Sequence, residues 1–427
     1  MERTAATRRN EEEPMSKTKS KRRLLGIVVL LGAITVAVPI AYKLFEPVFV
    51  YRLNWSALPA GAYPVQSEVV DPRYSEQASA AQAALEAARA ELQAPALSAA
   101  VSINGEIVWR SVAGYADIEA LRPAEFSTRF RLGSTSKAVT AVAVGTLVDQ
   151  QRLNLDAPIQ TYVPRFPEQR WPITLRQVMS HRAGLRDYGM CFCFPAWEHL
   201  NQRRFADIDA EIDLIAEAPL LFQPDTSFAY TSLGYNLAGA AVEHASGEDF
   251  GAYLQRAVFA PLGMTQSGLD SIAGAESDRA TFYEVENGSY KRAFTVDNSI
   301  RWPSGGLLST PTDMARFGAA MLDDRLLSAT TRAALVTVPE GGRDARGGAY
   351  YALGWRTGEW TLYDGELTTI AHHHAGTAVG SSSVFVVFPE YGMVISLMMN
   401  KGGTSVDDLV IATDQIAQAF VPRRSSE

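Results

Sequence analysis

Between Leu24 and Tyr42 the chain reads LLGIVVLLGAITVAVPIAY. This is about 19 residues without one charged side chain, long enough to cross a bilayer as a helix. Lys17, Lys19, Lys21, Arg22 and Arg23 lie directly before it. A cleavable signal peptide has a shorter apolar region, roughly 7 to 15 residues, and a small-x-small cleavage site. The stretch therefore reads as an uncleaved signal anchor, with cleavage near Ala41 as the other possibility. A buried core helix would leave the basic flank unexplained. Basic residues stay on the cytoplasmic side, so a single pass puts everything beyond about residue 45 outside the cytoplasm. A bacterial inner membrane facing the periplasm is the expected setting. The first segment, which contains Glu11, Glu12 and Glu13, does not look like an Arg-rich, acid-poor transit peptide. The sequence leaves open whether Met1 or Met15 is the start. The expected division is a basic tail over 1–23, an anchor over 24–45, a juxtamembrane linker over 46–74 and one globular domain over 75–427.

With 427 residues, 47% hydrophobic and 20% charged, the chain has ordinary globular composition and room for a substantial core. Its net charge is -8. The only dense cationic run precedes the anchor, so nucleic acid is not an expected partner. Cys191 and Cys193 are the two cysteines, and neither is placed to carry an N-terminal lipid. They suit either a strained Cys-x-Cys disulfide or two buried small hydrophobes among Phe192, Phe194 and Trp197. A metal site there would need more ligands than His199 offers, and no metal or organic cofactor is expected.

Glu46 to Arg73 carries Pro47, Pro59, Pro64 and Pro72 and reads as irregular. Ser75 to Leu92 lacks Gly and Pro and reads as helix up to Pro95. Leu97–Ile103 and Glu106–Val112 flank Asn104-Gly105, a strong hairpin signal. From Ala183 to about Tyr350 helix-like stretches and loops dominate: Ala206–Ala218, Leu233–Ala245, Phe250–Phe259 and Asp313–Leu322. Thr310, Pro311 and Asp313 mark the start of the last, as N-cap, first helical residue and capping-box carboxylate. Strand-like sequence returns in Leu353–Arg356, Leu367–His373, Ser381–Phe388 and Met393–Met399, and Asp407–Phe420 closes the chain as a helix. Strands at both ends with helices between predict an α+β sandwich. One antiparallel sheet would be built from the two ends, with a mostly helical insertion and a cleft at the boundary.

Chemistry concentrates at Phe130-Arg-Leu-Gly-Ser134-Thr-Ser-Lys137. A serine hydroxyl needs a nearby base to attack at neutral pH, and a lysine three residues on along a helix shares its face. The residues after Lys137 are apolar nearly all round, as in a helix buried mid-domain. Its N-terminus would aim unpaired N–H groups at a developing oxyanion. The same Ser-x-x-Lys spacing recurs at Ser16 and Lys19 in the charged tail, so spacing alone decides nothing. Three further stretches supply partners. Phe228-Ala-Tyr230-Thr-Ser232-Leu-Gly-Tyr235 offers Tyr230 as proton carrier and Ser232 as polar helper. His372-His-His374-Ala-Gly376-Thr377 lies on a late strand, where alternate side chains face opposite ways and three histidines cannot converge on one ion. Ile173–Leu185 contains His181, read as ordering a loop.

In chain order, FRLGSTSK, ITLRQVMSHRAGL, YTSLGYNLAG, SGGLLSTPTDMARF and HHHAGTAVG resemble the serine β-lactamase and penicillin-binding protein superfamily. The similarity is to its class C-like branch of esterases, D-amino-acid peptidases and lactamase-like proteases, over about residues 80 to 420. The resemblance implies a β-lactamase-like fold, a nucleophile at Ser134, a base at Lys137 and a proton-relaying tyrosine at Tyr230. It implies an oxyanion hole from the backbone N–H groups of Ser134 and Thr377. His374 and Gly376 fall where the family's Lys-Thr-Gly begins and ends, which would put His374 beside the substrate's carboxylate. Ser232 stands where the family's second motif, commonly Tyr-x-Asn, has an asparagine, and lacks its amide. Histidine in place of lysine gives a charge mainly below about pH 6.5. The resemblance thus implies a serine hydrolase acting through an acyl-enzyme on an ester, amide or D-amino-acid peptide, rather than an efficient β-lactamase. The alternative is a tethered receptor that binds cell-wall peptides or β-lactams without turnover.

Overall fold

The computed structural model describes residues 16–189, 197–205, 207–271, 278–340, 350–403 and 406–423. Cys191 and Cys193 lie outside the described residues. The first helix, α1 (Ser16–Arg52), carries the apolar stretch. Its segment Arg22–Glu46 is long and apolar enough to cross a membrane, and none of its most apolar part is buried against the rest of the chain.

An edge strand β1 (Val65–Val69), helix α2 (Ser75–Glu91) and the hairpin β2 (Ala96–Ile103) and β3 (Glu106–Asp117) follow. The hairpin turns where expected, with Asn104 and Gly105 both at positive φ (51° and 87°), the conformation that Asn-Gly favours. Then come α3 (Ser136–Asp149), α4 (Ser232–Ser246) and α5 (Pro311–Ala319), the strands β4 (Tyr350–Tyr351), β5 (Arg356–Leu362), β6 (Leu367–Ala378), β7 (Ser381–Phe388) and β8 (Met393–Met399), and helix α6 (Val406–Phe420). The main sheet runs β4-β5-β6-β7-β8-β2-β3-β1, with Arg122–Pro123 pairing on β3. The two chain ends meet where β8 pairs antiparallel with β2, Met393 opposite Ile103 and Met399 opposite Leu97.

Helices cover both faces of this sheet. Leu85 of α2 and Ile416 of α6 pack with Val384, Val386, Ile395 and Leu397 on one side. Val142 and Leu147 of α3 and Met314 of α5 join the cluster that holds Phe385, Val387, Val394 and Met398 on the other. Neighbouring residues of β7 and β8 thus serve opposite cores, which is why both strands are buried along their whole length and read as continuous apolar runs. Thr310 caps α5 through the Asp313 N–H (3.2 Å) with Pro311 at the first helical position. The Asp313 carboxylate does not close a capping box, for it accepts from the Gln266 N–H (2.8 Å) and the Ser267 hydroxyl (3.0 Å).

Three stretches depart from the expected pattern. Leu353–Arg356, read as a strand, is the turn between β4 and β5, and only Arg356 joins a strand. Residues 46–73, read as irregular, continue α1 to Arg52 and supply Ser56–Ala57 and β1 as strands. All of β1 is exposed, so no alternation of buried and exposed side chains marks it. Its ladder to β3, Val65 opposite Ala113 through Val69 opposite Trp109, holds it in place. The middle of the chain also contains a hairpin, Tyr283–Glu286 and Ser289–Arg292, turning at Asn287 and Gly288 (φ 50° and 74°). Ser56–Ala57 pairs on its outer strand.

Candidate active site

The short strand Phe130–Arg131 enters a tight turn, Gly133–Thr135, that runs straight into α3. Twelve consecutive α3 residues, Ser136 to Leu147, are buried, so Ser134 stands on a support that cannot shift without opening the core. Lys137 Nζ lies 3.2 Å from Ser134 Oγ, 3.2 Å from Ser232 Oγ and 2.8 Å from the Ser304 carbonyl. Three acceptors match the three donors of an ammonium. Burial pushes the Lys137 amine down to about 7; Asp187 opposes this, and the positive charges of Arg301 and Arg356 add to it. A lysine so poised can exchange a proton with the serine hydroxyl near neutral pH.

Tyr230 and Ser232 arrive together at the start of α4. Thr231 caps that helix through the Gly234 N–H (3.0 Å), and the Ser232 N–H donates to Asp187 Oδ1 at 2.8 Å. His181 brackets Tyr230: its carbonyl accepts the Ala229 N–H at 2.9 Å and its Nδ1 accepts the Thr231 N–H at 3.2 Å. The His181 ring lies 4.2 Å from the Tyr230 ring, centroid to centroid. Burial holds His181 well below the usual imidazole range, so it orders the loop as a neutral ring. Lys137 Nζ is 4.9 Å from the Tyr230 ring centroid, which puts the tyrosine in the same pocket as the amine. Ser232, though shorter than asparagine, still meets the lysine.

The Gly133–Thr135 turn lies directly on β6. A Cβ at Gly376 would sit 2.0 Å from the Leu132 carbonyl and 2.8 Å from the Ser134 nitrogen, and one at Gly133 (φ +53) would sit 2.6 Å from the Thr377 carbonyl and 2.9 Å from its nitrogen. Only glycine permits two backbones to approach so closely. The N–H groups of Ser134 and Thr377 therefore belong to segments in direct contact. β5 pairs with β6 only as far as His373, opposite Arg356, whereas β7 pairs on to Ala378, opposite Ser381. Beyond His373 the β5 side of β6 is an open edge. The two-residue turn after Ala378 makes the Ala378–Ser381 pair hydrogen-bonded, and alternation then turns the Thr377 N–H and carbonyl to the open edge. Gly376→Ala is expected to push the Ser134 turn away from β6, lowering the melting temperature and lowering kcat at least about a hundredfold, the usual cost of losing one oxyanion donor. Steady-state kinetics with a melting curve check this, and a fall in KM-linked binding alone would count against it.

His374 departs from the expected position. It is buried at 1% exposure, with Nε2 3.1 Å from the Tyr351 hydroxyl and Nδ1 2.7 Å from the Ala375 carbonyl. Burial, aided by Arg356 and Lys137, holds it well below the usual range. The ring is neutral at working pH and offers no charge to a carboxylate. His372 goes to the Thr357 hydroxyl (3.0 Å) and His373 stacks edge-on to Trp360 (5.0 Å), so the three histidines serve three different partners. Among the described residues no group of three or more His, Cys, Asp or Glu could hold a metal ion.

Sequence reasoning missed Asp187, Ser304 and Tyr351. Asp187 lies two residues past the Ile173–Leu185 stretch and would have been found by extending it. Ser304 acts through its carbonyl, which no side-chain pattern reveals. Tyr351, fully buried against His181 (4.5 Å between centroids), belongs to a two-residue strand too short to show a period. A buried ion cluster, also unread, ties the surroundings together: Asp270 accepts from Arg131 (2.7 Å) and forms an ion pair with Arg279 (2.6 Å). Arg131 in turn donates to the Val379 carbonyl at the tip of β6 and β7 (2.6 Å).

The Beta-lactamase family model matches residues 81–419. The human serine beta-lactamase-like protein LACTB, mitochondrial, is 28% identical over 431 residues, covering 78% of each chain. Esterase EstB of Burkholderia gladioli is 34% identical over 191 residues, 42% of this chain and 48% of its own. Among solved structures, the D-amino acid amidase of Ochrobactrum anthropi SV3 with D-phenylalanine superposes with a TM-score of 0.67 at 20% identity, over 81% of this chain and 99% of that one. It shares the fold. With the family model spanning most of its length, the chain belongs to the beta-lactamase family and is a serine hydrolase of that family.

Proposed function

We propose that the protein is a membrane-anchored, extracytoplasmic hydrolase that turns over an ester, amide or D-amino-acid peptide through an acyl-enzyme on Ser134. The observation that carries the reading is the 3.2 Å contact between Ser134 Oγ and a Lys137 amine held near pH 7. Neutral Lys137 takes the proton as Ser134 Oγ attacks the carbonyl carbon, and the oxyanion rests on the Ser134 and Thr377 N–H groups. As the carbon–leaving-group bond breaks, the proton passes through Tyr230 to the leaving alcohol or amine. Water then attacks the acyl-enzyme, gives one proton back to Ser134 Oγ by the same route and releases the acid. A proton carrier for both halves favours turnover over a non-turnover receptor. A neutral His374 and the amide-free Ser232 favour uncharged esters, in line with the name of the Burkholderia gladioli relative. Anchoring rests on the apolar segment Arg22–Glu46 and its basic flank.

A panel of p-nitrophenyl esters, D-Ala-D-Ala peptides and a chromogenic cephalosporin tests the chemistry, with the esters expected to be turned over fastest. Alkaline phosphatase fused after Glu427 tests the topology, since it needs disulfides formed outside the cytoplasm. A fusion active only as a cytoplasmic reporter reverses the assignment. Asp187 supplies a third check. Because its charge raises the Lys137 amine, Asp187→Asn should move the acid limb of kcat/KM to lower pH by on the order of one unit. Asparagine Oδ1 can still accept the Ser232 N–H. An unmoved limb would mean that Lys137 does not set it.

A further inference from the structure

A cavity of about 1040 Å³ opens beside β6, and apart from Thr377 its walls come from parts of the chain that the hydrolytic chemistry does not use. Its lining includes Thr377 and Ala378 of β6, Val48 and Trp55 from the end of α1 and just beyond, and Trp197 and Phe294, with charged side chains such as Arg52, Glu284 and Arg301 among them. It is at the upper end of the volumes of about 300–1,000 Å³ that small-molecule sites span. Thr377 belongs both to this cavity and to the backbone pressed against Gly133, so the cavity adjoins the turn that carries Ser134.

Its outer wall is fastened to the domain and follows the apolar helix directly in the chain. Ser56 and Ala57 pair with Tyr290 and Ser289, Leu58 N–H donates to the Gly288 carbonyl at 2.9 Å, and Lys291 Nζ lies 5.1 Å from the centre of the Trp55 ring. The candidate span ends at Glu46 and the helix continues to Arg52, so at 1.5 Å per residue the cavity mouth begins within about 10 Å of the bilayer surface. Val48 is 52% exposed and Trp197 38% exposed. Apolar side chains left open around a groove mark a binding surface rather than a finished core.

We infer that this groove holds the apolar chain of a membrane-resident amphiphile, an ester or amide with a long acyl or alkyl chain, whose scissile carbonyl reaches Ser134 from the bilayer side. The inference rests on the hydrolase and anchor readings above and narrows their substrate class. The anchor then does more than tether: its continuation forms one wall of the site and sets the site's height above the lipid. A chain that leaves the bilayer along this wall stays covered by Val48, Trp55, Trp197 and Phe294, so little apolar surface meets water on the way to Ser134.

The test uses the full chain reconstituted in phosphatidylcholine vesicles, with p-nitrophenyl butyrate in solution and p-nitrophenyl palmitate carried in the same vesicles. The readout is the palmitate-to-butyrate ratio of kcat/KM in the parent, in Trp197→Glu and in Val48→Glu. Each variant puts a charge into the groove and is expected to lower the ratio about tenfold or more. Val48 lies on an exposed helix outside the catalytic core, so its variant keeps the test open if Trp197→Glu does not fold. Ratios equal to the parent's in the folded variants, or a parent that does not favour the palmitate, overturn the inference while butyrate turnover leaves the hydrolase reading standing. No turnover of either ester and no fluorophosphonate adduct on Ser134 sinks the hydrolase reading, and the inference with it.

Discussion

Ser134→Ala is expected to abolish covalent labelling by a fluorophosphonate and to lower kcat/KM by at least about three orders of magnitude. The prediction is sharper than removal of a nucleophile, because two serines compete for the role. Ser134 and Ser232 each place their hydroxyl 3.2 Å from Lys137 Nζ, and distance to the base does not separate them. Their surroundings do. Ser134 sits on the turn pressed against Gly376 and Thr377, where backbone N–H groups can meet an oxyanion. Ser232 opens α4 with its own N–H already given to Asp187. Peptide mapping of the adduct in the parent should therefore find Ser134 alone, and the Ser134→Ala protein should show none. An adduct on Ser232 in that variant would exchange the roles assigned to the two serines. Residual turnover from binding and oxyanion stabilisation is expected to survive.

Much of the fold was legible because the segments that make it obey simple periods. β7 and β8 read as strands since both faces are buried, and α2 and α6 read as helices at the chain ends because nothing in them breaks a helix. What escaped notice falls into two kinds. The hairpin at Asn287-Gly288 carried the same turn signal as Asn104-Gly105, but its strands are four residues each and are partly exposed, so they lack the apolar runs that drew attention to β2 and β3. The edge strand β1 has no buried face at all, and only its ladder to β3 defines it. The hairpin matters beyond the fold count, since it is what fastens Ser56–Leu58 to the domain.

The site was legible to a different degree. Ser134, Lys137, Tyr230 and Ser232 converge in space, and each was visible as a side chain of the right type at a suggestive spacing. The role expected of His374 was read from its place in a motif, and there the packing decides otherwise. A ring at 1% exposure, bonded to Tyr351 and to the next residue's carbonyl, supports β6 from behind and titrates too low to carry charge. The other contributions are backbone groups: the Ser304 carbonyl on Lys137 and the N–H groups of Ser134 and Thr377. Side-chain patterns cannot announce these directly. Gly133 and Gly376 are their trace in the sequence, positions where any Cβ would force two strands of backbone apart.

Lys137→Met should lower kcat/KM by about a thousandfold, within the range for loss of a general base, and should at the same time make the protein more stable. Lys137 is fully buried, and its amine falls from the ordinary lysine value of 10.5 to about 7, chiefly through loss of solvation. Its folded pKa lies below its unfolded one, so between about pH 7 and 10.5 the unfolded chain binds more protons than the folded one, and parent stability rises with pH across that window. Below pH 7 both states are protonated and the burial penalty is present in full. Methionine of similar length removes the penalty but leaves the Ser304 carbonyl and two serine hydroxyls without the amine, which costs part of the gain. The expected net effect is about 1–3 kcal/mol in favour of the variant at or below pH 7, shrinking towards zero or reversing as pH approaches 10. Urea unfolding of both proteins at several values between about pH 6 and 10 measures the difference. A gap that stays constant or widens with rising pH would show that Lys137 is not held near neutrality, and the lysine's place as proton acceptor for Ser134 would fall with it.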